Sequence, residues 1–259
     1  MIGVGKIKFL RLAGEELSRV KTRDGIGLLA EKRLHSTLKR WVCEDESCHE
    51  VKITGQGEKK RRFVADILTP AGEIFEIQTG KLYPMHKKIQ FYMQETAHPV
   101  TVLHPLLGEK WITWLDPTTG EATARKKSPL HETPLHALSE LKPFLPYLGD
   151  KRFSLCLPTL EVEEFRLLDG WDKKGKRGSH RYELIPLALL DITELRTKKD
   201  YQALFPTDER LNEPFTAKVF ARVTKLRGYA LYDALAVFEG LGTIKKCGAA
   251  GRATLWQRI

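Results

Sequence analysis

The chain has 259 residues, of which 42% are hydrophobic and 29% charged, a balance that supports a packed core and excludes an intrinsically disordered chain. Forty-three basic residues against 33 acidic ones leave a net charge of +10, which points to a polyanionic partner, because each Lys or Arg near a phosphate releases condensed counterions. Four scattered cysteines, no apolar run approaching a membrane span, and an N-terminus broken by Lys6, Lys8 and Arg11 argue against a disulfide framework, a helical anchor and a signal peptide, so a cytoplasmic chain is expected.

The first helix is predicted over 27–43, where Leu28, Leu34, Leu38 and Trp41/Val42 recur at three- and four-residue spacing. Glu31 falls within that apolar stripe. A core-facing glutamate is costly unless it is paired or bound to metal; the alternative is a side chain snorkelling from the edge of the face. Strands are predicted over 50–54, 63–69 and 74–79, then a helix over 83–96 with Pro84 in its first turn. Further strands follow over 99–104, 110–116 and 121–126, and broken helix over 133–148. This order makes an α/β fold around one mixed sheet, within a first domain at 1–150. Residues 151–205 read as an extended connecting segment or subdomain around a basic loop, 169–181.

The most informative stretch runs from Phe63 to Gln78. Pro70-Ala71-Gly72 fits a three-residue hairpin loop, with Pro opening a type I turn and Gly supplying the left-handed position. Such a loop centres the hairpin on Ala71, so Asp66 and Glu76 face each other across it, roughly 5 Å apart at Cβ. Gln78 joins their face. Two carboxylates this close raise each other's pKa, and a divalent cation such as Mg²⁺ or Mn²⁺ relieves that repulsion. The alternative is a solvated face on an exposed hairpin.

Ala30-Glu31 through Leu38, then Asp66, then Glu76-Ile77-Gln78, then a helix with Lys87-Lys88, resembles the PD-(D/E)XK nuclease superfamily. The glutamate-bearing first helix is most similar to the Holliday junction resolvases and the Mrr-like restriction nucleases. The resemblance covers roughly 25–105 and implies a restriction-endonuclease-like fold and a Mg²⁺-dependent endonuclease acting on DNA. It implies metal ligation by Asp66 and Glu76, with Glu31 as an extra acidic ligand. The position that is usually lysine in the superfamily holds Gln78, which would orient the attacking water. Lys81 or Lys88 is the candidate to supply the missing charge, with Lys88 placed beside Ile89 near the inward face of its helix. By the same fold-level analogy a homodimer is expected, since cutting both strands takes two active sites.

Residues 206–259 carry their own pattern. Two helices, over 214–224 and 229–241, are joined by Lys225-Leu-Arg-Gly228, and two strands follow around Gly248-Ala-Ala-Gly251. This succession resembles a winged helix. It implies DNA contacts from Lys225, Arg227, Lys245, Lys246 and Arg252, which sit at the turn and wing where such domains meet phosphates. The alternative function is a catalytically weak nuclease fold serving as a DNA-binding or regulatory module; a third is a component of a larger defence or repair assembly whose activity needs a partner.

Overall fold

Short runs of β-branched and aromatic residues, separated by Gly- and Pro-bearing turns, form strands here as their patterning predicts. The computed structural model describes residues 2–21, 30–57, 60–171 and 177–259. Its architecture is mixed α/β: a central sheet of eight strands with helices, and a small C-terminal antiparallel sheet of three. In chain order the central strands are β1 (His49–Thr54), β2 (Arg62–Leu68), β3 (Ile74–Ile77), β4 (Val100–Leu103), β5 (Leu106–Leu115), β6 (Lys126–Lys127), β7 (Phe153–Trp171) and β8 (Arg177–Leu195). Their order across the sheet is β1-β2-β3-β4-β7-β5-β6, with β8 paired to β7. No helix among the described residues is long and apolar enough to cross a membrane. The chain divides into two compact units.

The first unit takes Met1–His49, Pro105–Glu132 and Pro158–Ile192. It opens with α1 (Ile2–Lys21), an element absent from the sequence prediction. Its core face is short, Phe9, Leu12 and Ala13, and Lys6, Lys8 and Arg11, before and among those residues, hide the periodicity. The face becomes readable once α2 (Ala30–Val42) lies against it: Trp41 meets Phe9 edge-on at 5.9 Å and donates its indole N–H to the Gly5 carbonyl. Leu34 and Leu38 are buried as their spacing predicts. Glu31 lies in the first turn of α2, but its side chain, like Leu28, is outside the described residues.

In the same unit β5 runs parallel to β7, from Leu106 opposite Thr159 to Leu115 opposite Leu167, with a bulge between Leu107 and Glu109. The strand expected over 121–126 shrinks to two-residue β6 and a lone bridge, Leu115 to Ala122. Residues 117–127 are all exposed, so no buried face holds a longer strand in register. The stretch read as a connecting segment contains the two longest strands among the described residues, β7 and β8, each of 19 residues. Residues 172–176 of the basic loop lie outside the described residues.

The second unit takes Glu50–His104, Thr133–Leu157 and Thr193–Ile259. Here β2 and β3 form an antiparallel hairpin, β3 runs parallel to β4, and β4 parallel to the start of β7. Helix α3 (His86–Glu95) covers one face through Ile89, Tyr92 and Met93. The unit continues through α4 (Pro134–Leu138), a 3-10 segment at Lys142–Tyr147, and α5 (Lys198–Gln202).

Its last part has the expected succession of two helices and a hairpin, closed by a small antiparallel sheet: β9 (Phe215–Thr216), α6 (Ala217–Thr224), α7 (Gly228–Gly240), β10 (Ile244–Ala250) and β11 (Ala253–Arg258). The helix expected from 214 begins at Ala217, because Phe215 and Thr216 pair with Trp256 and Leu255 as the third strand of the small sheet. Phe205, Phe215, Phe220 and Phe238 stack and abut around one point, with Phe205 edge-on to Phe238 at 5.1 Å. Helix α7 also packs on the 3-10 segment. A Cβ at Gly240 would meet Leu145 Cδ2 at 2.8 Å, so glycine permits that approach.

Candidate active site

The hairpin turn sets the site. Gly72 N–H donates to the Thr69 carbonyl at 2.8 Å, Thr69 N–H donates to Glu73 O at 2.9 Å, and Gly72 takes φ +80. Pro70 therefore opens the turn, and Gly72 occupies the left-handed position that other residues fill only at a cost. The strands pair with Ile67 opposite Phe75 and Leu68 opposite Ile74, and continuing that register by one residue sets Asp66 opposite Glu76, as the loop length predicts.

The two carboxylates have different surroundings. Asp66 is half-buried, and its Oδ2 accepts the Ile77 backbone N–H at 2.8 Å. Glu76 is only 1% exposed, because α3 lies over its face of β3. A solvated hairpin face is thereby ruled out for Glu76. Lys88 and Tyr92, one turn apart on α3, converge on it: Lys88 Nζ lies 2.5 Å from Oε2, and the Tyr92 hydroxyl donates to Oε1 at 2.8 Å.

Burial pushes the Glu76 carboxyl up to about 7, against the Lys88 cation, and the nearby Asp66 charge pushes it further the same way. Burial, followed by the Glu76 charge, raises the Tyr92 phenol far above its usual range, so Tyr92 acts only as a hydrogen-bond donor near neutrality. Tyr92 was not among the sequence candidates. Its position four residues after Lys88 is the signal that identifies it in retrospect.

Gln78 follows the end of β3, and its side-chain amide donates to the Lys81 carbonyl at 2.7 Å. Among the described residues no three His, Cys, Asp or Glu side chains gather closely enough to hold a metal. The described donors are thus two hard carboxylates on paired strands. That set matches the least that Mg²⁺ asks of a protein, which is one or two carboxylates with water and phosphate completing the shell. The donor chemistry fits such an ion, provided that Glu76 is ionised and Lys88 moves aside.

The candidate DNA contacts lie in the same unit. Lys225 ends α6 in the left-handed conformation, φ 62, and it and Arg227 are exposed in the turn before α7. Lys245, Lys246 and Arg252 are exposed on the β10–β11 hairpin, where Lys246 also pairs with Glu239 at 3.2 Å. Helix α7 itself carries no basic residue; its most exposed side chains are Tyr229 and Tyr232.

The first unit holds a polar cluster that the sequence did not reveal. Glu164, fully buried, is met by Lys110 at 2.7 Å, Arg166 at 2.5 Å and Arg181 at 3.3 Å. Nearby on β5, Trp111 is covered by Arg125, whose guanidinium lies 4.2 Å from the ring centroid.

No curated protein and no solved structure matches the chain. A family match runs over residues 32–196, more than half of the sequence, and takes in Asp66, Glu76, Gln78, Lys88 and Tyr92 while ending before β9. The chain therefore belongs to the family described as Domain of unknown function (DUF8091).

Proposed function

We propose that the chain is a metal-dependent endonuclease that hydrolyses DNA phosphodiester bonds, with its winged helix tethering the DNA. The observation that carries this reading is the convergence of Asp66, Glu76 and Lys88: two carboxylates on paired strands, and an ammonium 2.5 Å from one of them. A Mg²⁺ or Mn²⁺ ion bound between the carboxylates would supply an acidified water and offset charge on the phosphate oxygens. Asp66 and, once ionised, Glu76 would hold it. Lys88 would then turn from Glu76 to the charge developing on phosphate, the role that the superfamily resemblance assigns to the lysine replaced here by Gln78. Gln78 would orient water only after releasing the Lys81 carbonyl.

The exposed bases Lys225, Arg227, Lys245, Lys246 and Arg252 would neutralise phosphates flanking the cut. Four free cysteines accord with a reducing, cytoplasmic setting, and a homodimer would bring two such sites to one duplex.

The test is cleavage of supercoiled, linear and branched DNA with Mg²⁺ or Mn²⁺, comparing the wild type with Asp66→Ala. Metal-dependent nicking should fall at least about a hundredfold in the variant, the scale on which a metal site responds to loss of supporting groups. A second reading, a nuclease fold kept for DNA binding, draws support from both Glu76 oxygens already having protein partners and from Gln78 being tied to Lys81. Absence of cleavage in every metal, with DNA binding intact and indifferent to Asp66→Ala, would favour it and sink the nuclease.

A further inference from the structure

The second unit contains a cavity of about 610 Å³ that the catalytic reading does not use. Lys81, Tyr83, Glu140, Lys142, Tyr229 and Asp233 are among the residues that line it. We propose that this cavity binds an unstacked nucleobase of single-stranded DNA, held by the rings of Tyr83 and Tyr229.

Two tyrosines with little protein around them flank one cavity. Tyr229 is 91% exposed and Tyr83 is 70% exposed. Rings this bare add nothing to the core, whereas base–aromatic stacking is the main sequence-tolerant attraction in single-strand sites. Tyr83 also stands in a stacked arrangement with His86, at 6.4 Å and 17°, which steadies its ring.

The charges on the wall point to a neutral ligand. Lys81 pairs with Glu140 at 2.6 Å and Lys142 with Asp233 at 3.1 Å, so two cations and two carboxylates cancel. A phosphate would find no net attraction there. A base would find acceptors for its exocyclic amino group and donors for its carbonyl or ring nitrogen. The phosphates on either side are served by Lys225 and Arg227, both exposed in the turn that leads directly to Tyr229.

Part of the wall is the segment that follows the candidate catalytic strand. The Lys81 carbonyl takes the Gln78 amide, and Glu140 binds both Lys81 Nζ and the Leu82 backbone N–H, fixing the segment just beyond β3. A base inside a duplex cannot enter such a cavity; only an unpaired or extruded one can. The substrate class that follows is DNA unpaired beside the scissile phosphate. That consequence rests on the nuclease reading, while the binding itself does not.

The experiment is fluorescence anisotropy without divalent metal, in an Asp66→Ala background, using labelled oligothymidylate and a blunt duplex of equal length. Tyr83→Ala and Tyr229→Ala should each weaken oligothymidylate binding by about tenfold or more and leave duplex binding within about twofold. Tyr229→Trp should retain the single-strand affinity, which a mere folding effect would not predict. Equal losses on both DNAs, or no loss on either, would overturn the proposal. So would thymidine monophosphate competing as well as the strand at equal nucleotide concentration, since the cavity would then be a free-nucleotide site. Because the assay involves no turnover, the tyrosine pattern can persist in a protein that never cleaves, and a protein that cleaves can lack it.

Discussion

Glu164 in the first unit and Glu76 in the second are both sealed from solvent, at 0% and 1% exposure, and both sit on strands, yet they titrate in opposite directions. For Glu164, burial alone would raise the carboxyl, but hydrogen bonds from Lys110 and Arg166 outweigh it and hold the group below the usual carboxylate range. For Glu76, burial wins: the Lys88 cation stands against both desolvation and the Asp66 charge, and the group rises to about 7. A buried carboxylate surrounded by more positive charge than it carries is compensated and serves the fold. One left with an acidic neighbour and a single cation is under-compensated, and such groups gather where a ligand supplies the missing charge.

Removing the compensated group should produce the largest effect on stability. Glu164→Ala leaves Lys110 buried beside two arginines with no carboxylate, and should cost about 3–5 kcal/mol in urea or guanidinium unfolding. A loss below about 1 kcal/mol would break the contrast, because Glu164 would then hold nothing together.

The under-compensated group should reveal itself through pH. The folded pKa of Glu76 is raised above its ordinary 4.5, so between pH 4.5 and about 7 the folded chain binds more protons than the unfolded one. The contribution of Glu76 to the stability of the metal-free protein should therefore fall as pH rises through that window, by on the order of 3 kcal/mol, and level off above it. Glu76→Gln should remove that contribution from the slope. Glu164, with its lowered pKa, has the opposite sign: its contribution is present above the ordinary carboxylate pKa and is lost as pH falls below it. Thermal or chemical unfolding across pH in the two variants separates these terms.

Lys88 sharpens the comparison from the catalytic side. Lys88→Met removes the only cation bonded to Glu76 among the described residues and should move the upper edge of the pH window above 7. If the nuclease reading holds, it should also lower cleavage by about a hundredfold, measured at saturating Mn²⁺. A variant that shifts the window while leaving cleavage intact would confine Lys88 to holding Glu76. The smallest effect is expected at the turn: Gly72→Ala, at φ +80, should cost about 1–2 kcal/mol and leave the pH window unchanged, because it strains the loop without altering the pairing of Asp66 and Glu76.

Much of this was legible in the sequence because it is local. Pro70 and Gly72 specify a turn, the turn specifies a register, and the register alone sets Asp66 against Glu76. The two C-terminal helices and their hairpin were readable for the same reason, since apolar spacing and glycines mark them within 46 residues. Tertiary structure decided what depends on contacts distant in sequence: that α3 seals Glu76 under Lys88 and Tyr92, that Lys110 and Arg181 reach Glu164 from strands before and after its own, and that Tyr83 and Tyr229 share one cavity. The charge state of a carboxylate follows from what covers it, and the covering residues come from parts of the chain whose meeting no local periodicity encodes.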